Sequence, residues 1–349
     1  MKQNISPSVL VLVESPFQLM SFYEYFYKHD LDVRDIFIVI NHNSGISQKN
    51  SEILDSLLEF YDLTGFSFLR IDVPGSYRSV LRNRGVLSEV LDQLADFEFK
   101  HVLIGEFRSD LFLVISNSQR SAKTIYLDDG NAIFRLPKIR KNKNVRYWMK
   151  FFHAKINGLD TSYQKNVGYF SAFLSSNDIS REDTLEKNSF TYLRKRSTES
   201  GIESASVTTL LIIGSPLGAA GVMSEDVEES LTRNLINQIK RQHSEKTIVY
   251  VPHRRDSEEK IKKIENLGVF VDQDFTPIEI KFSKYKCNHA VGFYSSCFTT
   301  LTTIYPELKI DAFNISVENL NPAWIDFVGG QYELYKSEKM INVVNDISC

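Results

Sequence analysis

Two α/β halves, each a parallel sheet wrapped by helices, are what this sequence predicts. Three observations predict it. Short apolar β-type runs alternate with helix-like segments from residue 8 to 127. The alternation then stops in a polar, serine-rich stretch, and it resumes from 207 to 313. Strands alternating with helices argue for a parallel sheet covered on both faces. A chain of 349 residues is long enough for two separate cores.

The elements follow in order. An apolar run over 8–13 ends at Ser15-Pro16 and reads as a buried first strand, with a helix over Phe17 to Lys28. Strands are predicted at 35–40 (DIFIVI), 66–71 (FSFLRI), 101–106 (HVLIGE) and 123–127 (KTIYL). Helices near 49–61, 76–95 and 108–118 separate them. The first domain is set at 1–157 and an interdomain connection at 158–206, where serines and charges crowd out apolar residues. The second domain, 207–319, opens with strand VTTLLIIG at 207–214 and an amphipathic helix at 224–242. Strands KTIVYV (246–251), NHAVGFY (288–294) and LKIDAF (308–313) follow, with helices at 256–266 and from Ser296. The tail, 320–349, is expected to pack back onto the first domain.

Composition narrows the function classes. A net charge of −3 supplies no field to recruit nucleic acid. The three cysteines, Cys287, Cys297 and Cys349, lack paired or metal-ligand spacing and read as reduced thiols of a cytoplasmic protein. No apolar run approaches the roughly 20 residues that cross a bilayer, and the N-terminus lacks the build of a leader peptide. Gly-rich phosphate loops and HExxH are absent, and the histidines show no ligand spacing, so no metal is expected.

Four polar motifs carry the chemistry, three of them at the end of a predicted strand and the fourth, Pro277-Ile278-Glu279, before the strand at 288–294. Ligands on open parallel sheets bind at the carboxyl ends of strands. Asp128-Asp129-Gly130 follows KTIYL; the glycine permits a tight turn, and a carboxylate there can act as general base. An ordinary strand-ending turn has the same composition. Pro252-His253-Arg254 follows KTIVYV, and an imidazole there can donate to an anionic phosphate. Pro277-Ile278-Glu279 reads as a short helix carrying an acid that can accept ribose hydroxyls, or as an exposed first-turn glutamate. Ser295-Ser296 opens a helix, where hydroxyls and free N–H groups suit an anion; a plain serine N-cap fits equally. Gly214-Ser215-Pro216-Leu217 and Ser15-Pro16-Phe17-Gln18 each turn the chain at a strand end.

Together these motifs resemble those of bacterial CMP-sialic acid-dependent sialyltransferases of the GT-B fold, the lipooligosaccharide sialyltransferases and polysialyltransferases. Asp128-Asp129-Gly130 is similar to the family's D/E-D/E-G motif, His253 to the histidine of its HP motif, and Ser295-Ser296 to its hydroxyl pair. Arg254 stands where the family has proline. The resemblance implies an α/β, GT-B chain: two Rossmann-like domains with parallel sheets facing a central cleft that closes for catalysis. It implies Asp129 as general base, supported by Asp128, and His253 assisting CMP departure. Ser295 and Ser296 would hold the phosphate, and Arg254, outside the family pattern, is a donor-side candidate for its positive charge. Glu279 would bind ribose, and Gly214, Ser215 and Pro252 would line the CMP site. Ser15 and Gln18 fall on the acceptor side. The implied reaction inverts the anomeric centre and needs no cofactor or metal: one phosphate monoester leaves, which an imidazole, two hydroxyls and a helix N-terminus can stabilise.

The segment 135–155 carries eight Lys and Arg, no acid, and interleaved aromatics. Arg140, Lys141, Arg146, Trp148 and Lys150 are its candidate contacts with anionic lipid or a lipid-diphosphate-linked acceptor. A solvated basic helix is the alternative. The expected partners are a CMP-sugar and an oligosaccharide of an O-antigen, capsule or lipooligosaccharide, with the chain cytoplasmic and peripheral to the inner membrane face. Two other readings stay open: a GT-B transferase using CMP-legionaminic or pseudaminic acid, CMP-Kdo or UDP-hexose, and a non-catalytic glycan-binding protein on the same scaffold.

Overall fold

A computed structural model describes residues 7–43, 48–199 and 208–345, without the side chains of Gln48, Arg146 and Glu199. The chain divides into two compact units, Met1–Tyr192 and Leu193–Cys349. The first contains strands β1 (Val9–Val13), β2 (Ile36–Asn41), β3 (Ser67–Ile71), β4 (His101–Ile104), β5 (Lys123–Leu127), β6 (Gly168–Ser171) and β7 (Thr184–Lys187). Its helices are α1 (Pro16–Lys28), α2 (Gln48–Phe60), α3 (Tyr77–Arg82), α4 (Arg84–Leu94), α5 (Asp110–Ser118), α6 (Arg135–Lys141) and α7 (Val145–Ile156); α8 (Thr191–Glu199) spans the division.

All seven strands are parallel, in the order β3-β2-β1-β4-β5-β6-β7. Every residue of β1 and β2 is buried, as expected of central strands covered on both faces. The chain builds outward from β1 through β3, then returns to β1's other side as β4. That reversal leaves a crevice at the carboxyl ends of β1 and β4, where doubly wound sheets bind ligands. The outer strand β7 reads Thr-Leu-Glu-Lys, and a charged, short edge resists pairing with other chains.

The second unit repeats the plan. Its strands are β8 (Thr209–Ile213), β9 (Thr247–Val251), β10 (Phe270–Val271), β11 (His289–Gly292), β12 (Lys309–Phe313) and β13 (Ile341–Val344). They form a parallel sheet in the order β10-β9-β8-β11-β12-β13, with the reversal between β8 and β11. Helices α9 (Glu225–Gln242), α10 (Glu258–Glu265), α11 (Ile278–Lys281), α12 (Ser296–Ile304) and α13 (Ile325–Ser337) connect them.

Three expectations change. Residues 158–206, read as connection, supply β6 and β7 to the first sheet; each strand has four residues, too short for a period to show. The predicted helix 76–95 is two helices that meet at Asn83. The tail supplies α13 and β13, and β13 pairs in parallel with β12 of the second sheet.

Candidate active site

At the first crevice, three carboxylates gather around one guanidinium. Glu14 follows β1, Glu106 follows β4 and Asp129 follows β5. Arg108 folds back on Glu106 through its backbone N–H (2.8 Å) and Nε (2.7 Å). Its Nη2 spans Glu106 Oε2 at 2.5 Å and Asp129 Oδ2 at 2.9 Å. The other Asp129 oxygen accepts from Gln18 Nε2 at 2.9 Å. Gln18 is buried, and its own carbonyl accepts the Glu14 N–H at 2.8 Å. Gly105 lets it sit there: a Cβ at that position would lie 2.6 Å from Gln18 Oε1. Ser15 caps α1 by accepting from the Gln18 N–H, with Pro16 in the first turn. The two residues expected on the acceptor side therefore build and aim the candidate base.

Electrostatics separate the acids. Burial, reinforced by the Glu106 charge, pushes Glu14 up to about 7, while a hydrogen bond from Asn41 pulls the other way. Glu106 is also raised by burial, against the pull of Arg108. Asp128 faces the opposite way from its neighbour's task. It is fully buried and accepts from Ser171 Oγ and from the Ala172 N–H at 2.7 Å, tying β5 to the end of β6. Burial pushes it up to about 7, with the Ser171 and Ala172 bonds opposing. Gly130 turns the chain at φ 58°, a left-handed conformation that favours glycine.

At the second crevice, His253 ends the turn after β9. Its Nδ1 accepts the Arg255 N–H at 3.1 Å, so the neutral ring carries its proton on Nε2. Burial, then the charges of Arg254 and Arg255, lowers His253 to about 3. The ring is thus neutral at physiological pH and suited to donate a hydrogen bond rather than a proton. Its backbone is set by Asp256, whose Oδ2 accepts the His253 N–H at 2.9 Å. Lys260 holds Asp256 Oδ1 (2.7 Å), Glu228 Oε1 (2.6 Å) and the Ser215 carbonyl (3.2 Å), which joins the turns after β8 and β9. Pro252 is buried between β9 and this turn.

The turn after β8 holds Gly214 and Ser215, expected to line the CMP site, and its backbone N–H groups are partly used within the unit. It spends two of them on Glu228, from Leu217 (3.1 Å) and Gly218 (2.8 Å). Ser215 Oγ donates to the Tyr294 carbonyl at 2.6 Å, which pins β8's end to β11's. At Gly214 a Cβ would meet Tyr250 Oη at 2.5 Å, so only glycine lets the strand pass there. Ser295 is the N-cap of α12, and Ser296 is its first residue. Tyr335 of α13 grips Ser295 at both ends, accepting from its N–H (3.0 Å) and donating to its carbonyl (2.6 Å). Glu279 is buried and accepts from Thr300 Oγ1 of α12 at 2.7 Å; burial raises it.

Of the basic segment, Arg140 turns inward to Asp183, Tyr169 and the Gln164 carbonyl, and Lys150 pairs with Asp110. Both are structural ties. Lys141 and Trp148 are exposed, and the Arg146 side chain lies outside the described residues. Glu106, Arg108, Asp256, Lys260 and Tyr335 were not singled out by the sequence. A charge closing the buried run HVLIGE was the available signal for Glu106, of the same kind that marked Asp128-Asp129.

No family model matches the chain, and no curated protein matches it. Solved structures do. One is an α/β-galactoside α-2,3-sialyltransferase from the luminous marine bacterium Photobacterium phosphoreum (13% identity, 97% of this chain and 98% of that one, TM-score 0.51). Another, from Listeria monocytogenes, is assigned as a UDP-N-acetylglucosamine 2-epimerase (12%, 97% and 92%, TM-score 0.55). A third is the glycotransferase of kitacinnamycin (10%, 98% and 87%, TM-score 0.50). The fold is GT-B. At these identities the likeness carries the fold, and the reaction has to be argued from the residues.

Proposed function

We propose that the chain is an inverting sialyltransferase that moves sialic acid from CMP-sialic acid to a hydroxyl of a bacterial surface glycan. The observation that carries this reading is the chemistry at the two crevices. A carboxylate held by Gln18 and Arg108 ends a strand of one sheet. A neutral histidine with a donating Nε2 and a serine-capped helix end strands of the other. That is one base on one sheet and, on the other, donors for a departing phosphate monoester with Arg254 and Arg255 beside the histidine.

In the proposed reaction Asp129 takes the proton of the acceptor hydroxyl. The acceptor oxygen forms a bond to the anomeric carbon as the bond from that carbon to the CMP phosphate oxygen breaks. The bond's electron pair leaves with CMP, and the centre inverts. His253 Nε2–H and the Ser295-Ser296 end of α12 stabilise the charge that builds on the phosphate. Gln18 and Arg108 hold the two Asp129 oxygens in place. No metal takes part. The acceptor in this reading is a hydroxyl of an oligosaccharide.

Asp129→Ala tests the assignment. It is expected to lower transfer by about 10²–10⁴-fold while CMP still binds. Wild-type turnover by this variant would remove Asp129 from the base role.

A further inference from the structure

Among the described residues, seven large apolar side chains are exposed, and five of them lie on α7. Val145 (75% exposed), Trp148 (42%), Met149 (69%), Phe152 (57%) and Ile156 (85%) follow one another at helical spacing. At 3.6 residues per turn they fall within an arc of about 100°. Ala154 sits opposite and is fully buried. Contacts away from the stripe tie the helix to the first unit: Lys150 pairs with Asp110 at 2.6 Å, His153 bonds Tyr77, and Arg84 donates to the Asn157 carbonyl at 2.8 Å. The stripe is therefore a face of an anchored helix rather than a frayed end.

Its surroundings are cationic. No Asp or Glu occurs from Asn131 to Leu159. Lys143 lies 5.7 Å from the Trp148 ring and Lys155 lies 5.5 Å from the Phe151 ring, while Lys138 and Lys141 are exposed on α6. Stacked rings (Trp148 to Phe152, 5.9 Å) pre-form the apolar surface. An apolar stripe bordered by Lys and Trp, on a helix lying along the protein surface, has the design of an interfacial helix. Against water alone, five such side chains in one patch are costly to expose.

We propose that α7 seats the protein on an anionic lipid bilayer, with Val145, Trp148, Met149, Phe152 and Ile156 entering the acyl boundary and the flanking lysines facing headgroup phosphates. The inference does not depend on the sialyltransferase reading. It shifts the contact from the cations Arg140 and Lys150, which are internally paired, to the apolar stripe.

The chain has two tryptophans, so Trp324→Phe leaves Trp148 as the sole reporter. The full-length protein with this change is floated with phosphatidylcholine vesicles, with or without phosphatidylglycerol, and Trp148 quenching by bromo-acyl lipid is read. Binding is expected only with phosphatidylglycerol, with a blue shift and quenching. Met149→Glu with Phe152→Glu is expected to keep its melting temperature and to partition at least about tenfold more weakly. Absence of flotation, flotation with Trp148 unquenched, or undiminished flotation of the double variant would each overturn the proposal. A lipid-free dimer that the double variant splits, with no vesicle binding, would assign the stripe to self-association instead.

Discussion

Asp128 and Asp129 are adjacent in the chain and do different work. Asp128 is fully buried, and its oxygens receive a hydroxyl and a backbone N–H from the end of β6. An amide cannot accept at both positions. Asp128→Asn is therefore expected to cost about 2–3 kcal/mol, read as a lower urea midpoint, through one unmade bond to a buried donor. Asp129 is half-buried, and its loss leaves Arg108 still paired with Glu106. Glu14 makes a separate prediction. Its folded value of about 7 lies above its ordinary 4.5, so the folded chain holds the proton more tightly. The associated stability is present below pH 4.5 and is lost as pH rises through about 7. Glu14→Gln removes that term, and the melting temperature is expected to fall less between those pH values than in the wild type. An unchanged slope would mean that Glu14 does not titrate there.

At the scale of elements, turns aim the chemistry. Gly105 and Gly214 admit Gln18 and Tyr250 at distances that no Cβ allows. The β11–α12 turn is held from outside by α13, through Tyr335 on Ser295 and Tyr332 on the Phe293 carbonyl. Tyr335→Phe is expected to destabilise the chain by about 1–2 kcal/mol, since it leaves the half-buried Ser295 N–H and carbonyl without this partner. It is also expected to raise KM for donor more than it lowers kcat, because Ser295 loses its fixed position; equal kinetics with lower stability would make Tyr335 a packing residue only. The strand-end motifs were legible because each interrupts a buried apolar run. The clamp was not, because Ser295 and Tyr335 are forty residues apart and nothing local pairs them. Gln18 was legible as part of a motif, but its bond to Asp129, across 111 residues, was not.

At the scale of the molecule, both sheets carry the same strand order about their first strand, with β6 and β13 outermost or next to it. The central strands β1, β2, β8 and β9 were legible as unbroken apolar runs, which parallel sheets buried on two faces require. The strands β6, β7, β10 and β13 were not. They have two to four residues, and they are defined by pairing with a longer neighbour rather than by their own pattern. The second unit carries His253, Arg254 and Arg255 after β9 and the Ser295-Ser296 end of α12, and the proposed reading assigns this set to one phosphate. Donor class is therefore the central claim, and a ligand that binds only the folded state must raise the melting temperature. The direct measurement is thermal stabilisation by CMP, CDP, UDP and GDP in the presence of EDTA. The account predicts selective stabilisation by CMP, lost in Ser295→Ala with Ser296→Ala. Selective stabilisation by UDP or GDP, or no stabilisation by CMP, would contradict it.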